Sequence, residues 1–132
     1  MSEATAHDNQ PSNLEKNKQL VRNFIEDTLN RHDVATADKY LGQIPIRNNN
    51  QQAMGTEGFK EHRKRFFQEF PDSHTTIDHI VAEDDRVLVM LTTTATNKQT
   101  GKRVTIKSAD LYRIENGKIA EHWDVVDRSG MA

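Results

Sequence analysis

The sequence contains no cysteine, and this absence excludes several kinds of chemistry at once. Disulfides, thiol nucleophiles and zinc sites with cysteine ligands are impossible in this chain. The sequence also has no run of about 18 apolar residues, so it predicts no membrane-spanning helix. Its first residues lack the basic and apolar regions of a secretion signal. We therefore expect a cytoplasmic protein with no membrane partner.

The chain also lacks an excess of positive charge. Its 18 lysines and arginines are interspersed with 20 acidic residues, and the formal net charge is −2. A phosphate backbone needs a basic stripe, so we expect no nucleic-acid partner. Hydrophobic residues make up only 34% of the chain, which is low for a domain that buries its core alone. An apolar face completed by a second subunit would explain this composition.

The length of 132 residues suits one compact domain. Residues 1–12 are small and polar without periodicity, so we expect a disordered leader there and a single domain over residues 13–132. Asn13 is placed to cap a first helix. Its apolar positions recur at spacings of three and four as far as Leu29, and this pattern predicts a helix that ends near Asn30.

Two more helices are predicted before the pattern changes. Asp33 precedes a short helix over residues 34–41 as its cap, and residues 42–55 form a long loop rich in Gly, Asn and Gln. A third helix begins at Thr56 and ends before Pro71. Its aromatic residues are Phe59, Phe66, Phe67 and Phe70.

The second half of the chain alternates between apolar and polar residues. Four segments rich in Val, Ile and Thr cover residues 74–85, 86–97, 103–115 and 118–127. Asn116-Gly117 between the last two segments is a strong hairpin signal. Three helices followed by an antiparallel meander predict an α+β fold in which the helices cover one face of a curved sheet.

Alternation also assigns side chains to the faces of the last two strands. On the third strand, the face with Asp110 lacks Lys and Arg, so it is predicted to face the helices. That face carries Val104, Ile106, Ser108, Asp110, Tyr112 and Ile114. On the last strand, one face carries Ala120, His122, Asp124 and Val126, and the other carries Ile119, Glu121, Trp123, Val125 and Asp127.

Asp110, His122 and Asp124 are the candidate catalytic residues, because this assignment allows them to lie in one small region. A carboxyl group buried beside apolar groups favours its neutral form and can donate a proton near neutral pH. A neighbouring histidine can take up or return a proton. The alternative is structural: Asp110 hydrogen-bonds to backbone, while His122 and Asp124 form a solvated pair at a sheet edge.

Other kinds of site have little support in the sequence. The histidines are too scattered for a metal-binding motif, and Gly-rich phosphate loops are absent, so we expect neither metal nor cofactor. His62 lies among Arg63, Lys64 and Arg65, which indicates a solvated helix face.

Several phrases of the sequence resemble the SnoaL-like polyketide cyclases of the nuclear transport factor 2-like superfamily. They are NKQLVRNFIEDTLNRHD, MGTEGFKEHRKRFFQEFPD, VAEDDRVLVMLTTTAT and ADLYRIENGKIAEHWDVVD, and the resemblance covers residues 14–128. It implies a cone-shaped α+β barrel with a pocket at one end and a dimer formed through the sheet. It also implies acid/base chemistry by a carboxylate and a histidine, without cofactor or metal.

The resemblance leaves two functional hypotheses. In the first, the protein is a cyclase or isomerase of small polyketide-like molecules. Asp110 is then the acid/base or oxyanion-stabilising carboxyl group, with His122 and Asp124 as its proton partner and orienter. In the second, it is a non-catalytic module for small-molecule binding or dimerisation. Gln43 stands where many members have a pocket histidine, and Gln exchanges no proton at neutral pH. The expected pocket-lining residues are Tyr40, Gln43, Phe59, Phe24, Ile106, Ser108 and Val126. Trp123 and Val125 are expected on the dimer face.

Overall fold

The computed structural model describes residues 11–42, 46–47 and 53–131. Helix α1, Pro11–Phe24, continues as a π-helical segment, Ile25–Asn30, so the predicted end near Asn30 is confirmed. The predicted start is wrong, because Pro11 and Ser12 are already helical and Asn13 therefore lies inside the helix. Of the leader predicted for residues 1–12, residues 1–10 lie outside the described residues, and the prediction of a single domain stays a prediction.

The end of the first helix is fixed to the sheet by side-chain hydrogen bonds. His32 has a φ of 57°, a left-handed conformation that ends the helical path. The Asn30 side chain accepts a hydrogen bond from the backbone N–H of Thr75 at 2.7 Å and donates one to its carbonyl at 2.9 Å. This double contact holds the helix end beside the start of the sheet.

The second helical region consists of a 3₁₀ turn, Val34–Thr36, and a short helix α2, Ala37–Tyr40. The Asp33 side chain makes no capping hydrogen bond, contrary to the prediction; instead its carbonyl accepts the Thr36 N–H at 3.1 Å. The predicted loop contains two short paired strands, β1, Ile46–Arg47, and β2, Ala53–Met54. They are too short to show an alternating pattern in the sequence.

Helix α3, Thr56–Glu69, begins at the predicted residue and ends before Pro71 as predicted, with Phe70 as its C-cap. Phe59 and Phe70 are buried, whereas Phe66 and Phe67 are half-buried. The hydroxyl of Thr56 donates a hydrogen bond to the Gly42 carbonyl at 3.0 Å, which brings together the two ends of the segment between α2 and α3.

The four long strands form one antiparallel sheet in which they lie in chain order, as predicted. Their bounds are β3, His74–Glu83; β4, Arg86–Thr96; β5, Arg103–Glu115; and β6, Lys118–Asp127. Asn116 and Gly117 have φ angles of 52° and 74°, which is the conformation of a tight two-residue hairpin turn. The three helices cover one face of this curved sheet, and the predicted α+β fold is confirmed. Among the described residues, no helix is long and apolar enough to cross a membrane.

A β-bulge in β6 changes one predicted face. Arg113 pairs with Glu121 but Ile114 pairs with Ile119, so Ala120 is an extra residue without a partner in β5. The bulge turns Ile119 inward, where its side chain is completely buried in the core, although the alternating pattern assigned it to the outer face. Beyond the bulge, His122, Asp124 and Val126 share a face as predicted.

Candidate active site

The site is built on neighbouring positions of β5 and β6. Asp110 is directly opposite Asp124. Tyr112, two residues later in β5, is directly opposite His122, two residues earlier in β6. Because side chains alternate between the faces of a sheet, all four lie on the same face, towards the helices. The structure therefore brings the three candidate catalytic residues together.

Asp110 and His122 are joined by a short hydrogen bond. Nε2 of His122 lies 2.6 Å from Oδ2 of Asp110, and the imidazole stacks on the Tyr112 ring at a centroid distance of 4.5 Å. The carboxylate and the aromatic ring together fix the position and tilt of the imidazole. Asp110 is 6% exposed, whereas His122 and Asp124 are half-buried. Asp110 is thus the deepest member of the cluster.

An aromatic group lies beneath these polar residues. The Phe24 ring packs against Phe59 at 5.8 Å and against Tyr112 at 6.0 Å. Burial raises the pKa of Tyr112 well above its usual value, and the nearby Asp110 carboxylate raises it further. The phenol of Tyr112 is therefore neutral at physiological pH.

Arg63 also belongs to the site, although the sequence pattern places it on a solvated helix face. Its guanidinium lies over the rings of Phe66 and Phe67, 4.5 and 4.8 Å from their centroids. Burial lowers the pKa of Arg63 to about 10, while Tyr112 and Asp110 act in the opposite direction. One signal in the sequence reveals Arg63: it lies four residues after Phe59 and three before Phe66, so it shares their helix face.

His62 lies beside the site on the same helix. It is exposed, as predicted, but partial burial of its ring and then the charges of Arg63, Arg65 and Arg128 lower its pKa. The Asp124 carboxylate acts in the opposite direction, which indicates that it lies within electrostatic reach of His62. His62 is thus part of the electrostatic surroundings of Asp124.

The residues expected to line a pocket divide into three groups. Phe24, Phe59 and Tyr40 are buried in the core, and the Tyr40 hydroxyl donates a hydrogen bond to Asp27. Ile106, Ser108 and Val126 are half-buried, and Ser108 is directly opposite Val126 in the step of the sheet beside Asp110 and Asp124. Gln43 lies outside the described residues. The pocket-lining role of all seven stays a prediction.

Two clefts on the surface lie away from these residues. One, of about 360 Å³, is lined by the first helix and the hairpin turn at Asn116 and Gly117. The other, of about 480 Å³, lies between Asp38, Thr56 and Lys118. None of Asp110, His122 and Asp124 lines either cleft, and neither cleft carries a comparable set of acid and base groups.

The same three side chains offer metal-ligand atoms that lie within 4.8 Å of one another. One nitrogen and two carboxylate groups are donors that a divalent cation accepts. However, Nε2 of His122 is already bonded to Asp110, and the Arg63 cation is close enough to act on Asp110 electrostatically. These two features favour proton chemistry over metal binding, and the expectation of no metal and no cofactor stays a prediction.

The outer face of the sheet carries the two residues predicted to contact a partner. Val125 is 67% exposed, and Trp123 is half-buried. Trp123 ends a row across all four strands that is formed by Val81, Leu88, Leu111 and Trp123. We refer to this row, together with Met90, Ala109 and Val125 beside it, as the outer apolar face.

Comparison with known proteins identifies the family. The sequence profile of the SnoaL-like polyketide cyclases matches residues 19–132. The chain belongs to this family. The family is named for enzymes that act on small organic molecules. No curated protein matches the sequence of this SnoaL-like chain.

Solved structures share the fold of this SnoaL-like protein. AclR from Streptomyces galilaeus, named as a candidate hydroxylase, is 25% identical with a TM-score of 0.81, covering 89% of this chain and 83% of its own. A candidate polyketide cyclase from Acidithiobacillus ferrooxidans is 24% identical with a TM-score of 0.77, covering 87% and 90%. An epoxide hydrolase of the LEH type from M. tuberculosis is 20% identical with a TM-score of 0.73, covering 89% and 87%. The different activities in these names show that the fold alone does not decide the reaction.

Proposed function

We propose that this SnoaL-like protein is a cofactor-free acid/base enzyme that cyclises or isomerises a small, polyketide-like ketone. The observation that carries the proposal is the meeting of Asp110, His122 and Asp124 on the helix-covered face of the sheet, with their polar atoms within 4.8 Å of one another. Two carboxyl groups and an imidazole in one place provide both a proton acceptor and a proton donor.

Asp124 is the proposed base. It is half-buried and, unlike Asp110, is not engaged with His122 in a hydrogen bond. An ionised Asp124 removes a proton from the carbon beside the substrate carbonyl, and the electrons of the broken C–H bond form an enolate. In a cyclase this enolate carbon attacks a second carbonyl of the same molecule, which closes a ring and leaves an alkoxide.

His122 is the proposed acid, and Asp110 is its positioning residue. The imidazolium gives its proton to the alkoxide, or to a carbon of the enolate in an isomerase. Asp110 holds one nitrogen of His122 at 2.6 Å, so the other nitrogen is left for this transfer. The Asp110 carboxylate also balances the charge of the imidazolium while it holds the proton.

The surroundings of these residues suit a flat, largely apolar molecule. The buried Tyr112 ring supports His122 from below, and the half-buried Ile106, Ser108 and Val126 continue the inward face of β5 and β6. Gln43 would contribute only a hydrogen bond to the ligand, because its amide does not exchange protons near neutral pH.

The outer apolar face supports a homodimer. Val81, Leu88, Met90 and Val125 are large hydrophobic residues that are 58%, 38%, 49% and 67% exposed. They lie on one face of one sheet, in adjacent rows, so they form a single patch rather than scattered apolar residues. A second copy of the chain, packing sheet to sheet, would cover this patch and would explain the low hydrophobic content of the sequence.

The test of the proposed reaction is exchange of carbon-bound protons in D₂O. The probe is 2-tetralone, a flat ketone with acidic protons beside its carbonyl, and ¹H NMR follows the loss of those signals. We expect the protein to accelerate exchange above the rate in buffer, without added metal or cofactor. A non-catalytic binding module would bind 2-tetralone and shift protein resonances without accelerating exchange, and this result would contradict the proposal.

A further inference from the structure

Arg63 occupies a position that an apolar residue would ordinarily fill. The sheet-facing stripe of α3 consists of Phe59, Arg63, Phe66 and Phe70, at spacings of four, three and four residues. Its guanidinium packs over two phenylalanine rings, yet its Nε is buried and has no hydrogen-bond partner. Among residues 11–42 and 53–131, Arg63 forms no ion pair.

Arg63 as a whole is half-buried, but a charged group whose donor nitrogen is buried without a partner is costly, and proteins usually pair such a charge or bind a ligand to it. The groups on the sheet whose charges act on the pKa of Arg63 are the Asp110 carboxylate and the Tyr112 phenol, and both raise it. Neither is hydrogen-bonded to it. His62 adds a neighbouring titratable group on the same helix, and its pKa is lowered by partial burial and then by Arg63.

Asp110, whose charge acts on Arg63, carries a second unsatisfied atom. Oδ1 of Asp110 is buried and has no hydrogen-bond partner, while Oδ2 is bonded to His122. Within the part of the chain that the structure describes, the two buried side-chain atoms without partners are therefore one donor, on Arg63, and one acceptor, on Asp110. Buried polar groups in native proteins are nearly always satisfied, so this pair indicates a ligand with a complementary acceptor and donor.

We propose that Arg63 binds the oxygen of the enolate that forms when Asp124 removes the substrate proton, an inference that rests on the function proposed above. When the C–H bond breaks, its electrons form a carbon–carbon double bond and the carbonyl π electrons move to oxygen. That oxygen becomes an oxyanion, and the guanidinium stabilises it by charge and by an N–H donor without giving up a proton. This role of Arg63 requires a ketone substrate that binds with its carbonyl oxygen towards α3 and its acidic carbon towards Asp124 on β6.

The experiment uses a probe that needs no knowledge of the natural substrate. 4-Nitrophenol resembles an enol, ionises near neutral pH, and absorbs visible light only as the phenolate. Titrations of the full chain at several pH values give separate affinities for the phenol and the phenolate. Three variants are compared. Arg63→Met keeps an unbranched side chain but removes the guanidinium, Arg63→Lys keeps the charge, and Arg65→Met removes an exposed charge from the same helix.

We expect the wild type to bind the phenolate more tightly than the phenol. In Arg63→Met the ratio of these affinities falls at least about tenfold, because an adjacent opposite charge shifts an acid's ionisation by about one unit or more. Arg63→Lys retains part of the ratio, and Arg65→Met leaves it unchanged. NMR signals of Tyr112 and His122 shift when the probe binds. A melting temperature of Arg63→Met no lower than that of the wild type shows that the variant is folded.

Three results would overturn the inference. They are a wild type that does not bind 4-nitrophenol, an Arg63→Met variant with an unchanged affinity ratio, and an Arg65→Met variant that loses as much as Arg63→Met. The function proposed above is tested separately by exchange of 2-tetralone. If Arg63→Met exchanges 2-tetralone protons as fast as the wild type, the proposed role of Arg63 is rejected and the acid/base site is not. If the wild type itself does not accelerate exchange, the acid/base site is rejected.

Discussion

Nε2 of His122 lies 2.6 Å from Oδ2 of Asp110. This hydrogen bond determines which role each of the three proposed catalytic residues has. Asp110 is the most deeply buried of the three candidate catalytic residues, and one of its oxygens is occupied by the imidazole. A carboxylate in this position orients a histidine and balances its charge. The two half-buried residues, His122 and Asp124, are then left to exchange protons with a ligand.

Asp110→Asn should therefore slow the reaction without unfolding the protein. The amide has the shape of the carboxyl group but carries no charge, so it cannot balance an imidazolium. We expect exchange of 2-tetralone to fall by a factor of about 100 or more, as for loss of acid/base function. Thermal unfolding followed by circular dichroism provides the control for folding. Exchange at the wild-type rate in this variant would remove Asp110 from the mechanism.

The titration of His62 tests the placement of Asp124. Partial burial and then Arg63, Arg65 and Arg128 lower the pKa of His62, while Asp124 raises it. NMR titration of the wild type should give a His62 pKa below its ordinary value of about 6.5. Arg65→Met should raise that pKa, because it removes a positive neighbour, and Asp124→Asn should lower it further. A His62 pKa that does not respond to Asp124→Asn would mean that Asp124 points away from α3.

The two tyrosines should resist ionisation in the folded protein. Burial and then the hydrogen bond to Asp27 raise the pKa of Tyr40 to about 12, and burial raises that of Tyr112 well above its usual value. A group whose pKa is higher in the folded state stabilises the fold below its unfolded pKa of about 10, and this contribution is lost as the pH rises through the folded pKa. We expect phenolate absorbance to appear only as alkali unfolds the protein. A tyrosine that ionises near pH 10 in the folded state would contradict this burial.

Val125→Glu should weaken the proposed dimer. Val125 is exposed on the outer apolar face, and a carboxylate there would have to lose water when two copies pack together. Light scattering after size-exclusion chromatography should show a dimer for the wild type and a shift towards monomer for the variant. Arg65→Glu, on the exposed side of α3, is the matched control and should leave the mass unchanged. A monomeric wild type would reject the dimer.

Much of the fold and part of the site follow from the periodicity of the sequence. Strict alternation in β5 placed Asp110 on the inward face, and Asn116-Gly117 marked the hairpin that brings β6 beside it. The bulge at Ala120 has no such signal, because one unpaired residue reverses the face of its neighbours without a characteristic residue type. Alternation therefore grouped His122 with Asp124 correctly, and the family resemblance indicated that they face the pocket, but alternation grouped Ile119 with the wrong face.

Arg63 was missed for a different reason. In a helix, a charged residue beside other charged residues is ordinarily solvated. The run Arg63, Lys64 and Arg65 fits that expectation. The spacing of Phe59, Phe66 and Phe70 instead places position 63 on the sheet-facing stripe. Periodicity is thus the better guide to where this side chain points, and its unpaired Nε is the basis of the oxyanion-binding role proposed above.

The most direct test of the central claim is to measure the rate at which Asp124→Asn exchanges the protons of 2-tetralone. The asparagine keeps the size of the side chain but cannot accept a proton from carbon. We expect the wild type to accelerate exchange. In the variant, the rate of catalysed exchange should be lower by a factor of about 100 to 10,000. Asp127→Asn, on the outer side of the same strand, should exchange at the wild-type rate. Full activity in Asp124→Asn, with a bound ketone and an intact fold, would contradict the claim that this cluster performs acid/base catalysis.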